Sequence, residues 1–361
     1  MRPQGEKAGE GLQSLPDAEA LRSLTLEAWK RSQEWQAGLN AWMLLPDPKP
    51  YATPSKVVWE RHGARLLDFG GPQEGVAVFF VPSLINRHYI LDLAPSQSLV
   101  AFLRDAGMRV FVLDWGEPQK DTLACDTAAY VTRILAPACE SVGRPLILAG
   151  YCMGGLLAMA GAQLLPSQVR GLALLATPWS FAPEIGGYAA LPEHAWRDVG
   201  EWISRQPRFP ATLLNSWFQS IDPLRQWRKL RRLALTPIDS PERERFARLE
   251  RWVWDGVDLA TPVALEWLSD WPRRDALARG LWQIGGRAVT PAALDVPVLA
   301  AIPSEDTIVP AASATALLPL LRDPTVLRPP AGHVGMVVGH KARASLWEPL
   351  AQWCGKIAAA Q

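Results

Sequence analysis

From residue 75 to residue 179 the chain alternates short apolar runs with stretches of helical periodicity, and this alternation constrains the fold more than any other feature. "GVAVFFVPS" is a buried-strand pattern, "LVAFLRDAG" is helical, "MRVFVLDWG" is a second strand and "TAAYVTRILAPACESVG" a second helix. "PLILAGYC", "MGGLLAMAGAQLL" and "VRGLALLATPW" repeat the cycle. Strands that alternate with helices require right-handed crossovers and a mostly parallel sheet. Upstream, "SKVVWERHGARLLDFG" reads as two short strands about "RHG", a hairpin. After about residue 182 the alternation stops, and the next good buried strand is "VPVLAAIPSED" at 296.

These changes divide the chain into four stretches. Residues 1–50 hold a polar tail, read as disordered over 1–14, and one or two N-terminal helices; 51–182 form the first part of an α/β core. Residues 183–294 are a helical cap insertion, and 295–361 complete the core with the strand "TVLRPPA", the loop "GHVGMVVG" and a closing helix. Ten of the 17 Trp fall in the insertion or at its entry. Most are expected to form the core of a small helical cap, and a minority to line an apolar channel. With 37 Lys and Arg against 36 Asp and Glu, the net charge of +1 offers nothing for a nucleic acid to recognise. The basic run "RQWRKLRR" at 225–232 reads first as a solvated helix face, the alternative being a surface that meets CoA phosphates or a partner's acidic face. Trp29, Trp35 and Trp42 suit either packing on the chain's own core or docking of a partner.

The start of the chain lacks the apolar segment of a secretory signal, and no run approaches the roughly 18 apolar residues of a spanning helix. A cytoplasmic protein with reduced thiols is expected. Cys125, Cys139, Cys152 and Cys354 show neither paired nor metal-ligand spacing, and no glycine-rich nucleotide loop appears, so neither metal nor redox cofactor is expected.

Cys152 stands apart through its neighbours. "GYCMGG" places it between a buried strand and a helix, in the G-x-C-x-G form of a nucleophile elbow. Gly150 and Gly154 leave room for the turn, a helix N-terminus faces the thiolate, and the Met153 N–H is placed to serve an oxyanion. A second oxyanion donor is expected from the turn after "FFVPS", at Leu84 or Ile85. Of five histidines only His333 and His340 follow the last strand, and the glycine-bracketed His333 is the expected base. The expected acid is Asp306 at the carboxyl end of "VPVLAAIPSED", with Glu305 as the fallback. Nucleophile, acid and histidine in this chain order define the α/β-hydrolase arrangement, with a Trp-rich helical cap inserted.

Taken together, "VPSLINRHYILDLAPSQSLVAFLRDAGMRVFVLDWGEP", "GYCMGG", "RLERWVWDGVD", "IGGRAV", "VPVLAAIPSEDTIVPAAS" and "GHVGMVVG" resemble the polyhydroxyalkanoate synthase family over about residues 55–340. Two places depart: Thr307 stands where the family usually has His after the acid, and "VVGHK" follows the histidine loop where an Asn-Pro run is common. The resemblance implies an acyltransferase that polymerises (R)-3-hydroxyacyl-CoA with release of CoA. Cys152 would carry the growing chain, His333 would activate the thiol or the incoming hydroxyl, and Asp306 would support His333. It also implies acyl-CoA as substrate, a polyester granule surface as a place of action, and a second synthase subunit or a homodimer as the assembly. Two other readings are a cysteine hydrolase of esters, lactones or acyl-CoA, and a catalytically silent partner of a synthase or granule.

Overall fold

In the computed structural model, residues 17–45, 47–48, 51–182, 192–222 and 224–359 are described. The tail expected at 1–14 lies outside them. The sheet starts at the hairpin: β1 (Lys56–Arg61) and β2 (Ala64–Gly70) pair antiparallel, with Arg61 opposite Ala64. The two-residue turn needs positive φ at both positions, and His62 (φ 54°) and Gly63 (φ 79°) supply it. β2 then pairs antiparallel with β4 (Arg109–Asp114), and every later pairing is parallel.

With β3 (Ala77–Val81), β5 (Leu146–Tyr151), β6 (Val169–Leu175), β7 (Val298–Ala301) and β8 (Thr325–Leu327), the eight strands run β1-β2-β4-β3-β5-β6-β7-β8 across the sheet. All five residues of β3, all six of β5 and all four of β7 are buried. Such uninterrupted burial belongs to parallel strands covered on both faces, which is why these runs read as continuous rather than alternating. The chain leaves β3 toward β4 on one side and returns to β5 on the other. That reversal makes a crevice at the carboxyl ends of β3 and β5, the position where open α/β sheets bind ligands.

The helices begin with α1 (Ala18–Met43), and around the sheet lie α2 (Leu99–Asp105), α3 (127–141, through a π turn at 131–135) and α4 (Met153–Leu164). The insertion adds α5 (Glu193–Ser204), α6 (Ala211–Ser220), α7 (Leu224–Ala234), α8 (Pro241–Trp254) and α9 (261–274). Two two-residue ladders, Arg208–Phe209 with Leu259–Ala260 and Gln283–Ile284 with Arg287–Ala288, punctuate these helices.

The chain divides into two units. One comprises α1 and the stretch through residue 244 that begins with α7. Asp17 caps α1 by accepting from the Ala20 N–H at 2.7 Å. Leu230 and Leu233 of α7 are buried, while Arg228, Arg231 and Arg232 are exposed, so the basic run is one face of an amphipathic helix. Gly38 lets α1 and α7 approach, since a Cβ there would lie 2.6 Å from Leu230 Cβ. The second unit holds the sheet and the rest of the insertion. In it, Trp267, Trp271 and Trp282 form a chain of ring contacts at 6.0 and 5.3 Å, and Trp282 Nε1 donates to Thr127 Oγ1 at 3.0 Å. Trp196, Trp202 and Trp217 instead line an apolar cavity of about 690 Å³.

Candidate active site

β5 ends at Tyr151, α4 begins at Met153, and Cys152 alone makes the corner. Its backbone takes φ 56°, ψ −128°, a conformation that costs a side-chain-bearing residue about 1–3 kcal/mol and persists only where its surroundings impose it. Here the Cys152 N–H donates to Leu175 O at 2.8 Å on neighbouring β6, and Cys152 O accepts from the Gly155 N–H at 2.9 Å. The flanking glycines are sterically required. A Cβ on Gly154 would lie 2.0 Å from Val81 O, and one on Gly155 would lie 1.8 Å from Thr177 Oγ1.

The loop following β7 carries Asp306, and the loop following β8 carries His333. His333 Nδ1 and Asp306 Oδ2 are 2.7 Å apart; the Asp306 side chain is 1% exposed and that of His333 6%. The other carboxylate oxygen accepts from the Ile308 and Val309 N–H groups, both at 2.9 Å, so the acid is fixed before it meets the imidazole. On its far side His333 faces the Cys152 sulfur, which acts on the imidazole electrostatically. Burial alone would disfavour the imidazolium, but the Asp306 carboxylate and then the Cys152 sulfur more than offset it, and the His333 pKa is raised to about 10. Cys152, His333 and Asp306 are thus brought together, buried and in contact. Glu305 and His340 are exposed, and neither belongs to this chain of contacts.

The remaining cysteines are buried and unpaired by disulfides. Burial pushes the Cys354 thiol up to about 12 and the Cys139 thiol higher still. Among the described residues, no group of three or more His, Cys, Asp or Glu is placed to hold a metal ion, and no helix is long and apolar enough to cross a membrane.

The turn after β3 lies at the carboxyl edge of the sheet, beside the elbow: Gly154 packs against Val81 and Pro82. The Ile85 N–H donates to Ser83 Oγ at 3.2 Å, whereas among the described residues nothing accepts from the Leu84 N–H. Three contacts invisible in the sequence pin this turn. Trp115 Nε1 donates to Pro82 O at 2.9 Å, Trp252 Nε1 to Arg87 O at 2.8 Å, and the Val257 N–H to Ile85 O at 3.0 Å. A further missed neighbour is Tyr151, whose ring lies 5.2 Å from that of His333 and whose hydroxyl donates to His333 O at 3.3 Å. Its place beside the nucleophile was the available signal.

Such a sheet, with a nucleophile elbow after β5 and an acid and a histidine on the two following loops, defines a class. Residues 77–339 match the family model described as alpha/beta hydrolase fold, and the chain belongs to that family. Within it, residues 50–103 match the model of the poly-beta-hydroxybutyrate polymerase (PhaC) N-terminus, in line with the resemblance read from the sequence blocks. The chain is 30% identical over 312 residues to the poly(3-hydroxyalkanoate) polymerase subunit PhaC of Haloferax mediterranei, an alignment covering 83% of this chain and 63% of the relative. It is 29% identical over 318 residues to the polymerase subunit PhaC of Synechocystis sp., covering 83% of this chain and 84% of that one. The chain therefore spans less than two thirds of the Haloferax relative's length. Among solved structures, a monoacylglycerol lipase from Paleococcus ferrophilus superposes with a TM-score of 0.55 at 17% identity, covering 81% of this chain and 99% of the lipase, which shows the shared fold.

Proposed function

We propose that this protein is an acyltransferase that polymerises (R)-3-hydroxyacyl-CoA, releasing CoA, through a thioester on Cys152. The observation that carries the reading is the buried line of contacts from Cys152 through His333 to Asp306 at the carboxyl end of β5. The similarity to poly(3-hydroxyalkanoate) polymerase subunits over most of the chain supports the substrate class.

In this reading the Asp306 carboxylate beside His333 strengthens the imidazole as a base, so that it takes the Cys152 proton as attack begins. The Cys152 thiolate attacks the thioester carbonyl, and the tetrahedral oxyanion is met by the Met153 N–H and the Leu84 N–H, the latter favoured over Ile85 because it lacks an acceptor. The C–S bond to CoA breaks, and the departing thiolate takes the proton from His333, leaving free CoA, neutral imidazole and an acyl-enzyme. His333 then removes the proton of an incoming 3-hydroxyl, whose oxygen attacks the acyl carbon, forms the ester and frees the Cys152 sulfur. Asp306 holds the imidazole with Nδ1 turned away from the thiol throughout. Exchange of one thioester for another is close to thermoneutral, which suits a sulfur nucleophile. Thiol, imidazole and carboxylate suffice for these steps, and acyl-CoA enters as substrate. The relatives are polymerase subunits, which supports supplying a second subunit in the assay, and the polyester product surface is the expected place of action.

The test is incubation with (R)-3-hydroxybutyryl-CoA and (R)-3-hydroxyoctanoyl-CoA, alone and with a synthase partner subunit, following free thiol, insoluble polyester and intact mass. Stoichiometric acyl adducts on the parent but not on Cys152→Ala, with polyester formed, are expected. Soluble hydroxyacid as the sole product would make the protein a hydrolase, and folded protein with neither adduct nor CoA release would overturn the reading.

A further inference from the structure

The cavity of about 690 Å³ falls within the roughly 300–1,000 Å³ of small-molecule sites, and its lining residues all belong to the unit that carries the candidate active site. Its depth is apolar: Trp196, Ile203, Leu214 and Leu268 are each less than a tenth exposed. Polar side chains among its lining residues are confined to Asp198, Ser220 and Thr307, and none of the lining residues is Lys or Arg. A phosphate-bearing ligand would find no cation there, so the portion of a ligand that fits is hydrocarbon.

The cavity is joined to the chemistry by covalent structure. Thr307, Ile308 and Pro310, which form one wall, follow Asp306 directly, and the Ile308 N–H is one of the two donors that fix the Asp306 carboxylate. A chain entering this space therefore rests against the segment that holds the acid.

We propose that this cavity binds the alkyl substituent of a medium-chain 3-hydroxyacyl unit, so that the enzyme selects monomers longer than hydroxybutyrate. The inference rests on the acyl-transfer reading for its use in turnover, and on the cavity alone for binding. Each methylene transferred from water into such a site is expected to raise affinity about fourfold.

Binding is measured on the full-length Cys152→Ala protein by calorimetry with 3-hydroxybutyrate, 3-hydroxyoctanoate and 3-hydroxydecanoate, so that no turnover intervenes. Affinity rising by about fourfold per methylene, with a negative heat-capacity change, is expected. Val199→Trp fills the cavity and removes the increment. Ile221→Arg, at a position already 37% exposed, places a charge near the mouth and cuts decanoate binding at least tenfold while leaving butyrate unchanged. Affinity that is flat with chain length, or an increment that survives both variants, overturns the inference. CoA release by the parent enzyme separates the two readings: length-dependent binding without release from any acyl-CoA defeats acyl transfer alone, and release from 3-hydroxybutyryl-CoA with flat binding defeats only the chain-length selection.

Discussion

At the level of single residues, the site depends on positions with no tolerance for change. Gly154→Ala would drive a methyl group into the main chain of β3 and the following turn, where no side chain can swing away. A loss of at least about 3 kcal/mol in stability is expected from urea unfolding. Asp306→Asn, close in shape, should retain the fold but lower turnover by on the order of 10³–10⁴, since it removes the charge that orients and stabilises the imidazolium. The same residue governs a pH dependence. The His333 pKa is raised from 6.5 to about 10, burial opposing and Asp306 then Cys152 more than compensating. A raised imidazole pKa contributes stability that is fully present below pH 6.5 and is lost as pH climbs to about 10. The stability advantage of the parent over His333→Gln should therefore shrink across that window, and Asp306→Asn should move the window downward. Cys152, His333 and Asp306 were legible because a nucleophile elbow and a chain order are local signals. The Ser83 hydroxyl that occupies the Ile85 N–H, and the Tyr151 ring against His333, depend on loop conformations that no spacing encodes.

At the level of elements, the turn at 82–87 is shaped by groups remote in sequence. Trp115 leaves the end of β4 and Trp252 lies on α8, yet their indoles reach two carbonyls of the one turn. Trp252→Phe keeps most of the ring's bulk and removes only the N–H donor. It should cost about 1–2 kcal/mol of stability and lower kcat more than it raises KM, a split that an unrelated packing defect would not produce. The blocks "DWG" and "RLERWVWDGVD" could be quoted from the sequence, but their shared target follows from β4 lying beside β3, a pairing between segments thirty residues apart. The Trp-rich insertion divides similarly. Trp267, Trp271 and Trp282 build a core, so Trp271→Ala should cost about 3–5 kcal/mol, whereas Trp202 at the cavity is 44% exposed and its replacement should cost far less.

At the level of the whole molecule, hydrophobic periodicity gave the parallel sheet and its antiparallel hairpin, because buried strands and amphipathic helices have different repeats. It did not disclose that α7, from the middle of the insertion, clusters with α1. Both helices present apolar faces in sequence, and nothing local says which other face each will meet. Gly38→Leu would force α1 away from Leu230, and a loss of about 1–3 kcal/mol, read as faster hydrogen exchange in both helices, is expected.

The strained corner at Cys152 also bears on how the protein is made. Its N–H is held by Leu175 on β6, and β6 is held in turn by β7, with the Ala176 N–H donating to Ala301 O. The acid and the histidine come later still. At synthesis rates of about 5–20 residues per second, roughly 10–40 s separate the emergence of the thiol from that of its base. The corner at Cys152 can therefore be completed only after β6 and β7, which brace it, have been translated.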